Sequence, residues 1–305
     1  MRIPKYLSPS AIGTWQKDIE EYYQRYLSDN QAPRFPQTQP MSIGSAFDAF
    51  VKSYLYERLI GKSPEYEKRT LFEAQVQEQH RDWAWEHGQI VFDGYKHQGC
   101  VADLLGELDK AVEPPRFEFT LEDTVTTNIG EIPLLGKPDI FFINKAGARV
   151  IFDWKVNGYC RAGNTSPMKG YLRLRPGDKM HRNCHPCVVN GVMINVAMYL
   201  EDGNKSWADQ LSIYSWLLGE DFGSEQMITG IDQITGNGAK LRFASHRLRI
   251  SPDYQFELLA LIEQIWETIN SGWIFRDMPE EESKQRCEML DSPIDYNSEL
   301  GQVCA

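Results

Sequence analysis

The chain has 305 residues, 42% of them hydrophobic and 25% charged, with a formal net charge of -11, enough apolar content to bury a sizeable core in one large domain or two small ones. No apolar run approaches the roughly 18 residues of a membrane span, and the opening MRIPKYLSPS lacks the apolar stretch of a secretion signal, so a soluble, cytoplasmic protein without a membrane partner is expected. Six scattered cysteines are too few for a disulfide scaffold, and the acidic balance argues against a nucleic-acid partner unless positive charge is concentrated locally.

Ser8 before Pro9 reads as a helix N-cap with proline at the first helical position, and Ile12, Trp15, Ile19, Tyr22 and Tyr26 follow at helical spacing. A first helix from Pro9 to about Leu27 is expected. Pro33, Pro36 and Pro40 make the stretch from Gln31 an extended linker. Behind Ser42, a second plausible cap, Ile43, Ala46, Phe47, Phe50, Val51, Tyr54 and Leu55 trace one helical face, and less regular helix continues from Tyr66 to about Leu108.

The period changes at Arg116, where Phe117, Phe119 and Leu121 alternate with Arg116, Glu118 and Thr120 as in a half-buried strand. Asp139 to Ile143 and Val150 to Lys155, separated by Asn144-Lys-Ala-Gly147, read as a hairpin. After a long irregular stretch, Trp207 to Leu218 reads as helix. Met227 to Thr235 and Leu241 to Ile250 read as a strand pair, and Ser251-Pro252 caps a last amphipathic helix. The whole reads as a single α/β domain over 1–305, with a helical N-terminal part at 1–112, an inserted segment at 156–206 and an acidic tail at 277–305.

The candidate chemistry lies on the central hairpin. Asp139 opens one strand and Asp153 closes the next. Because strand side chains alternate, Asp153 and Lys155 project from one face and Trp154 from the other. Two carboxylates at adjacent strand ends suit Mg²⁺ or Mn²⁺, and a neighbouring ammonium suits the orientation of a metal-activated water. Taken alone, a strand ending in Asp-Trp-Lys also reads as a sheet edge with solvated charges.

In context, Gly136-Lys-Pro-Asp139, an apolar strand, a turn, a second apolar strand and Asp153-Trp-Lys155 resemble the core of the PD-(D/E)XK nuclease superfamily, in its RecB-like, phage-type exonuclease branch. Gln210 and Tyr214 match that branch's QxxxY motif, and Glu118 matches an acidic residue often found on the strand before the hairpin. The opening Ser8-Pro-Ser segment and Gly44-Ser-Ala-Phe-Asp48 extend the likeness, although relatives commonly carry a metal-binding histidine where this chain has Asp48. The resemblance implies a restriction-endonuclease-like α/β core, a central mixed sheet flanked by helices. It implies catalytic Asp139, Asp153 and Lys155, and metal ligands Asp139, Asp153 and Asp48. Gln210 and Tyr214 would contact DNA or organise the site. Asp48 also reads as a solvated residue beside the apolar face of its helix.

The segment between Lys155 and Gln210 is longer than the family's usual connection. It carries seven basic residues from Lys155 to Arg182 against the single acid Asp178, so Arg173 and Arg175 are candidate phosphate contacts. It also holds Cys160, His181, Cys184 and Cys187, a candidate structural zinc set, with unlinked thiols as the alternative. An iron–sulfur cluster of the kind some relatives bind is not expected, because no cysteine lies near the first helix and only two follow Tyr214.

The resemblance implies a metal-dependent deoxyribonuclease, and the cellular setting that follows rests on it alone. An exonuclease acting on DNA ends in recombination, repair or phage DNA processing fits best, in a bacterial or phage-infected cell, with DNA as partner. A recombination or replication protein and a second copy of the chain are further candidate partners. The alternatives are a structure-specific endonuclease, or a non-catalytic nucleic-acid-binding or assembly module that keeps the nuclease fold.

Overall fold

A computed structural model describes residues 1–31, 36–157, 199–236 and 241–272, and the backbone of 184–189 and 192–197. Among these residues the order is α1 (Pro9–Lys17), α2 (Ile19–Tyr22), α3 (Gln39–Leu59), α4 (Lys68–Gln75), α5 (Arg81–His97), α6 (Cys100–Leu108), β1 (Arg116–Phe117), β2 (Leu121–Thr127), β3 (Gly130–Gly136), β4 (Ile140–Ile143), β5 (Arg149–Asn157), β6 (Cys184–Val189), β7 (Val192–Ala197), α7 (Lys205–Leu217), β8 (Ile228–Thr235), β9 (Arg242–Leu248) and α8 (Pro252–Ser271). No described helix is long and apolar enough to cross a membrane.

The chain divides into two compact units. The smaller takes in the described residues of Met1–Pro36, Glu122–Leu135 and Leu259–Ala305, the larger those of Gln37–Leu121 and Gly136–Leu258. In the smaller unit, Ser8 caps α1 by accepting from the Ala11 N–H at 3.2 Å. The single long helix expected from Pro9 does not form. Asp18 is extended, and its carboxylate accepts from the Glu20 and Glu21 N–H groups, so it ends α1 and starts α2. β2 and β3 are neighbours in a separate two-stranded sheet, and Leu7 makes an isolated parallel bridge to Leu134.

The larger unit is an α/β body around a five-stranded mixed sheet of order β1-β4-β5-β8-β9. All its neighbours are antiparallel except β5 and β8, which run parallel with Asp153 opposite Ile231. A parallel pair needs a crossover connection, and α7 lies on the one joining β5 to β8. One sheet face, through Phe142, Phe152 and Trp154, packs on Phe47, Phe50 and Val51 of α3 and on α5 and α6. The other, through Ile151 and Ile231, packs on Ala208, Leu211 and Tyr214 of α7. Helices therefore cover both faces, which matches the near-continuous apolar run at the start of β5.

Two further expectations change here. α3 starts at Gln39 with Thr38 in the cap position and Pro40 in its first turn, so Pro40 belongs to the helix and not to the linker. Ser42, read as the cap, instead donates to the Gln39 carbonyl. In the inserted segment, where an irregular stretch is expected, β6 and β7 pair antiparallel with Val189 opposite Val192.

Candidate active site

The site belongs to the larger unit and begins with strand register. β4 and β5 pair with Ile140 opposite Phe152, so one further step along the ladder brings Asp139 opposite Asp153. Directly opposed residues have Cβ atoms about 5 Å apart. The Asp139 side chain ends the ladder itself, its Oδ2 accepting from the Trp154 N–H at 3.1 Å.

Alternation along β5 separates two roles. Trp154 turns toward α3, edge-on to Phe47, and donates from its indole nitrogen to the Tyr95 hydroxyl at 3.3 Å. That hydroxyl in turn donates to buried Asp232. Asp153 and Lys155 turn toward α7. Lys155 Nζ lies 2.6 Å from Asp153 Oδ2, and Asp153 is only 4% exposed.

The α7 helix ties these two together. Asn204 caps it by accepting from the Trp207 N–H at 3.1 Å, and Gln210 and Tyr214 then share a face one turn apart. Gln210 Nε2 donates to Asp153 Oδ1 at 3.1 Å and to the Tyr214 hydroxyl at 3.0 Å. Its Oε1 accepts from Lys155 Nζ at 2.7 Å. Gly136, the last residue of β3, lets Tyr214 approach this closely, since a Cβ there would stand 2.7 Å from the Tyr214 ring.

A residue that the sequence reading passed over sits among the carboxylates. Lys52, on α3 and only 1% exposed, lies with Nζ 2.7 Å from Asp48 Oδ2, 2.9 Å from Asp139 Oδ1 and 3.5 Å from Glu118 Oε2. Asp48 is thus held by Lys52 and is not a freely solvated residue. The local signal is slight: Lys52 stands four residues after Asp48, one helical turn on, between apolar Val51 and buried Ser53.

Glu118 lies just past β1 and not within a strand, with φ of 43°, a left-handed conformation that a residue with a side chain rarely adopts. Its N–H donates to the Asp139 carbonyl at 2.9 Å. Its carboxylate also accepts from Lys137 and from Gln75.

Burial sets the electrostatics. It pushes the Asp48 carboxyl up to about 7, with neighbouring Asp139 adding to the effect and Lys52 opposing it. It likewise pushes Asp153 up to about 6 against the opposing charge of Lys155. Burial disfavours the Lys52 charge, but the carboxylates of Asp139, Asp48 and Glu118 outweigh this and hold its proton above the ordinary lysine range. Burial also raises the Tyr214 hydroxyl to about 12, which keeps it neutral. A cleft of about 510 Å³ opens beside the cluster, lined by Gln37, Met41, Asp48, Asp139, Trp154 and Lys155 among others.

No protein-family model matches the chain, and no curated protein matches it. Among solved structures it is similar to the crystal structure of SSO0001, at 12% identity over 81% of this chain and 80% of that one, with a TM-score of 0.29.

The structure brings together Asp48, Glu118, Asp139, Asp153, Lys155, Gln210 and Tyr214, which the sequence singled out up to 166 residues apart in the chain. Cys160, His181, Arg173 and Arg175 lie outside the described residues, as do the side chains of Cys184 and Cys187, whose backbone forms part of β6. Among the described residues no three His, Cys, Asp or Glu side chains form a ready-made metal cage. The donors at the site are carboxylate oxygens, which fit a hard cation. Mg²⁺ is commonly held by one or two carboxylates with water and phosphate oxygens completing its shell, a demand that Asp139 and Asp153 can meet.

Proposed function

We propose that the chain is a divalent-metal-dependent DNA nuclease of the PD-(D/E)XK superfamily, acting as an exonuclease on DNA ends. One observation carries this reading. Asp139 and Asp153 meet at the end of a β4–β5 ladder, with Lys155 held beside them by the amide of Gln210. An isolated pair of surface charges would need no such bracing from a second element.

Asp139 and Asp153 would hold Mg²⁺ or Mn²⁺, which when bound lowers the pKa of a coordinated water and offsets charge on the phosphate. Lys155 supplies an ammonium fixed between Asp153 and Gln210, placed to orient a water or to stabilise developing negative charge. Gln210 sets the spacing of both groups and is itself fixed by Tyr214. Trp154 anchors β5 to the opposite face through Tyr95. The preference for ends over internal sites rests on the sequence resemblance.

One observation favours a second reading. An acidic cluster partly neutralised by buried Lys52 would also suit a non-catalytic nucleic-acid-binding module that keeps the fold. Incubation with end-labelled linear and closed circular DNA plus Mg²⁺ or Mn²⁺ separates the possibilities. Degradation of linear DNA alone supports the exonuclease, attack on both forms an endonuclease, and binding without cleavage the non-catalytic module.

A further inference from the structure

We infer that the Lys52 ammonium stands where a second cation would otherwise sit, so that the site takes one divalent cation per chain. The inference rests on the nuclease reading above. Lys52 reaches the cluster from α3, almost wholly shielded from solvent. Its Nζ bridges Asp48 Oδ2 and Asp139 Oδ1 at 2.7 and 2.9 Å, with Glu118 Oε2 at 3.5 Å. Oxygens of several carboxylates converging on one buried positive centre is the arrangement that a cation site has.

Asp139 faces both ways. Its Oδ1 is engaged by Lys52, while its Oδ2 faces β5 at the Trp154 N–H, beside Asp153. In sites with two metals the ions stand about 3.5–4 Å apart and clamp both reacting oxygens. Here the same bridging carboxylate joins an ammonium on one side to the Asp153 side on the other. Asp48 therefore serves Lys52, and the cation is left to Asp139 and Asp153.

Charge points the same way. With every carboxyl ionised, Asp48, Glu118, Asp139 and Asp153 face the ammoniums of Lys52, Lys137 and Lys155, at most four against three. One divalent cation turns that small negative excess into a small positive one, which suits a phosphate. A second would stand against a buried ammonium with no further carboxylate to offset it.

Mn²⁺ titration of the full-length protein, with free Mn²⁺ counted by its electron paramagnetic resonance signal, tests this without reference to activity. Wild type should bind one Mn²⁺ per chain and Lys52→Gln two. Two Mn²⁺ in wild type, or one in both proteins, would overturn the inference while leaving the nuclease reading in place. No Mn²⁺ in wild type would overturn both. Should Lys52→Gln fail to fold, Asp48→Asn serves instead. It should keep one Mn²⁺ with affinity within about threefold of wild type, and loss of that ion would identify Asp48 as a metal ligand and overturn the inference.

Discussion

Gln210 Nε2 donates a hydrogen bond to Asp153 Oδ1 at 3.1 Å, across 57 positions of chain. The same amide accepts from Lys155, so one neutral side chain fixes the distance between a carboxylate and an ammonium. Partners that orient a metal ligand typically matter about 10–100-fold in metal affinity or activity. Gln210→Leu, similar in size but without the amide, should lower the rate on labelled linear duplex by about that factor. An unchanged rate would show that Lys155 and Asp153 hold their geometry without it.

Lys155 is partly exposed and packs into neither core, so Lys155→Ala should still fold, melting below wild type because buried Asp153 loses its ion-pair partner. Loss of one group that stabilises developing charge costs about 100- to 1,000-fold in turnover. Parallel measurement of melting and of cleavage under saturating DNA checks both halves. Full activity in Lys155→Ala would remove it from the chemistry.

Close packing at Gly136 gives a stability test. An added Cβ would stand 2.7 Å from Tyr214 Cδ1 and 2.9 Å from Leu217 Cδ1, so α7 must shift or the ring must turn. Gly136→Ala should cost about 1–3 kcal/mol, the usual range for overpacking, as read by denaturant unfolding. In a Tyr214→Ala background the same change should cost less, because the ring it strikes is gone. Equal cost in both backgrounds would place the strain elsewhere.

His246 on β9 is buried, and burial, helped by neighbouring Arg247, pushes its pKa down to about 4 from an ordinary 6.5. The unfolded chain therefore takes up a proton at higher pH than the folded one. Its contribution to stability is full above about pH 6.5 and falls away as pH drops toward 4. Between pH 7 and pH 5, wild type should lose stability relative to His246→Gln by an amount on the order of 2 kcal/mol. Denaturation curves of both proteins at the two pH values supply the comparison, and parallel behaviour would mean that His246 titrates alike in both states.

Much of this arrangement is legible in the sequence because its signals are local. The β4–β5 hairpin follows from two short apolar runs around Asn144-Lys-Ala-Gly147, and the shared face of Asp153 and Lys155 from strand alternation. Helical spacing puts Gln210 and Tyr214 on one face of α7, and the resemblance to the QxxxY motif is what singles them out. Lys52 is not legible in that way. A lysine on a helix ordinarily reads as solvated, and its burial depends on Glu118 and Asp139, which lie 66 and 87 positions away. The left-handed backbone at Glu118 is likewise invisible, because Arg116 to Leu121 alternates as a strand would, yet β1 ends at Phe117. At Asp18 the helical pattern of apolar residues continues unbroken, and the break comes from a side chain that caps a new helix in the middle of it.

Asp153 offers the most direct test of the proposed chemistry, since it is buried and engaged by both Lys155 and Gln210. Asp153→Asn keeps the size of the side chain and removes a buried carboxylate whose desolvation is a cost to the fold, so the variant should melt at or above the wild-type temperature. The decisive measurement is the release of nucleotides from end-labelled linear duplex in Mn²⁺ by wild type and Asp153→Asn side by side. Wild type should release them only when metal is present, and the folded variant should release essentially none. Equal release by both proteins, or none by wild type with either Mg²⁺ or Mn²⁺, would contradict a metal-dependent nuclease centred on Asp139, Asp153 and Lys155.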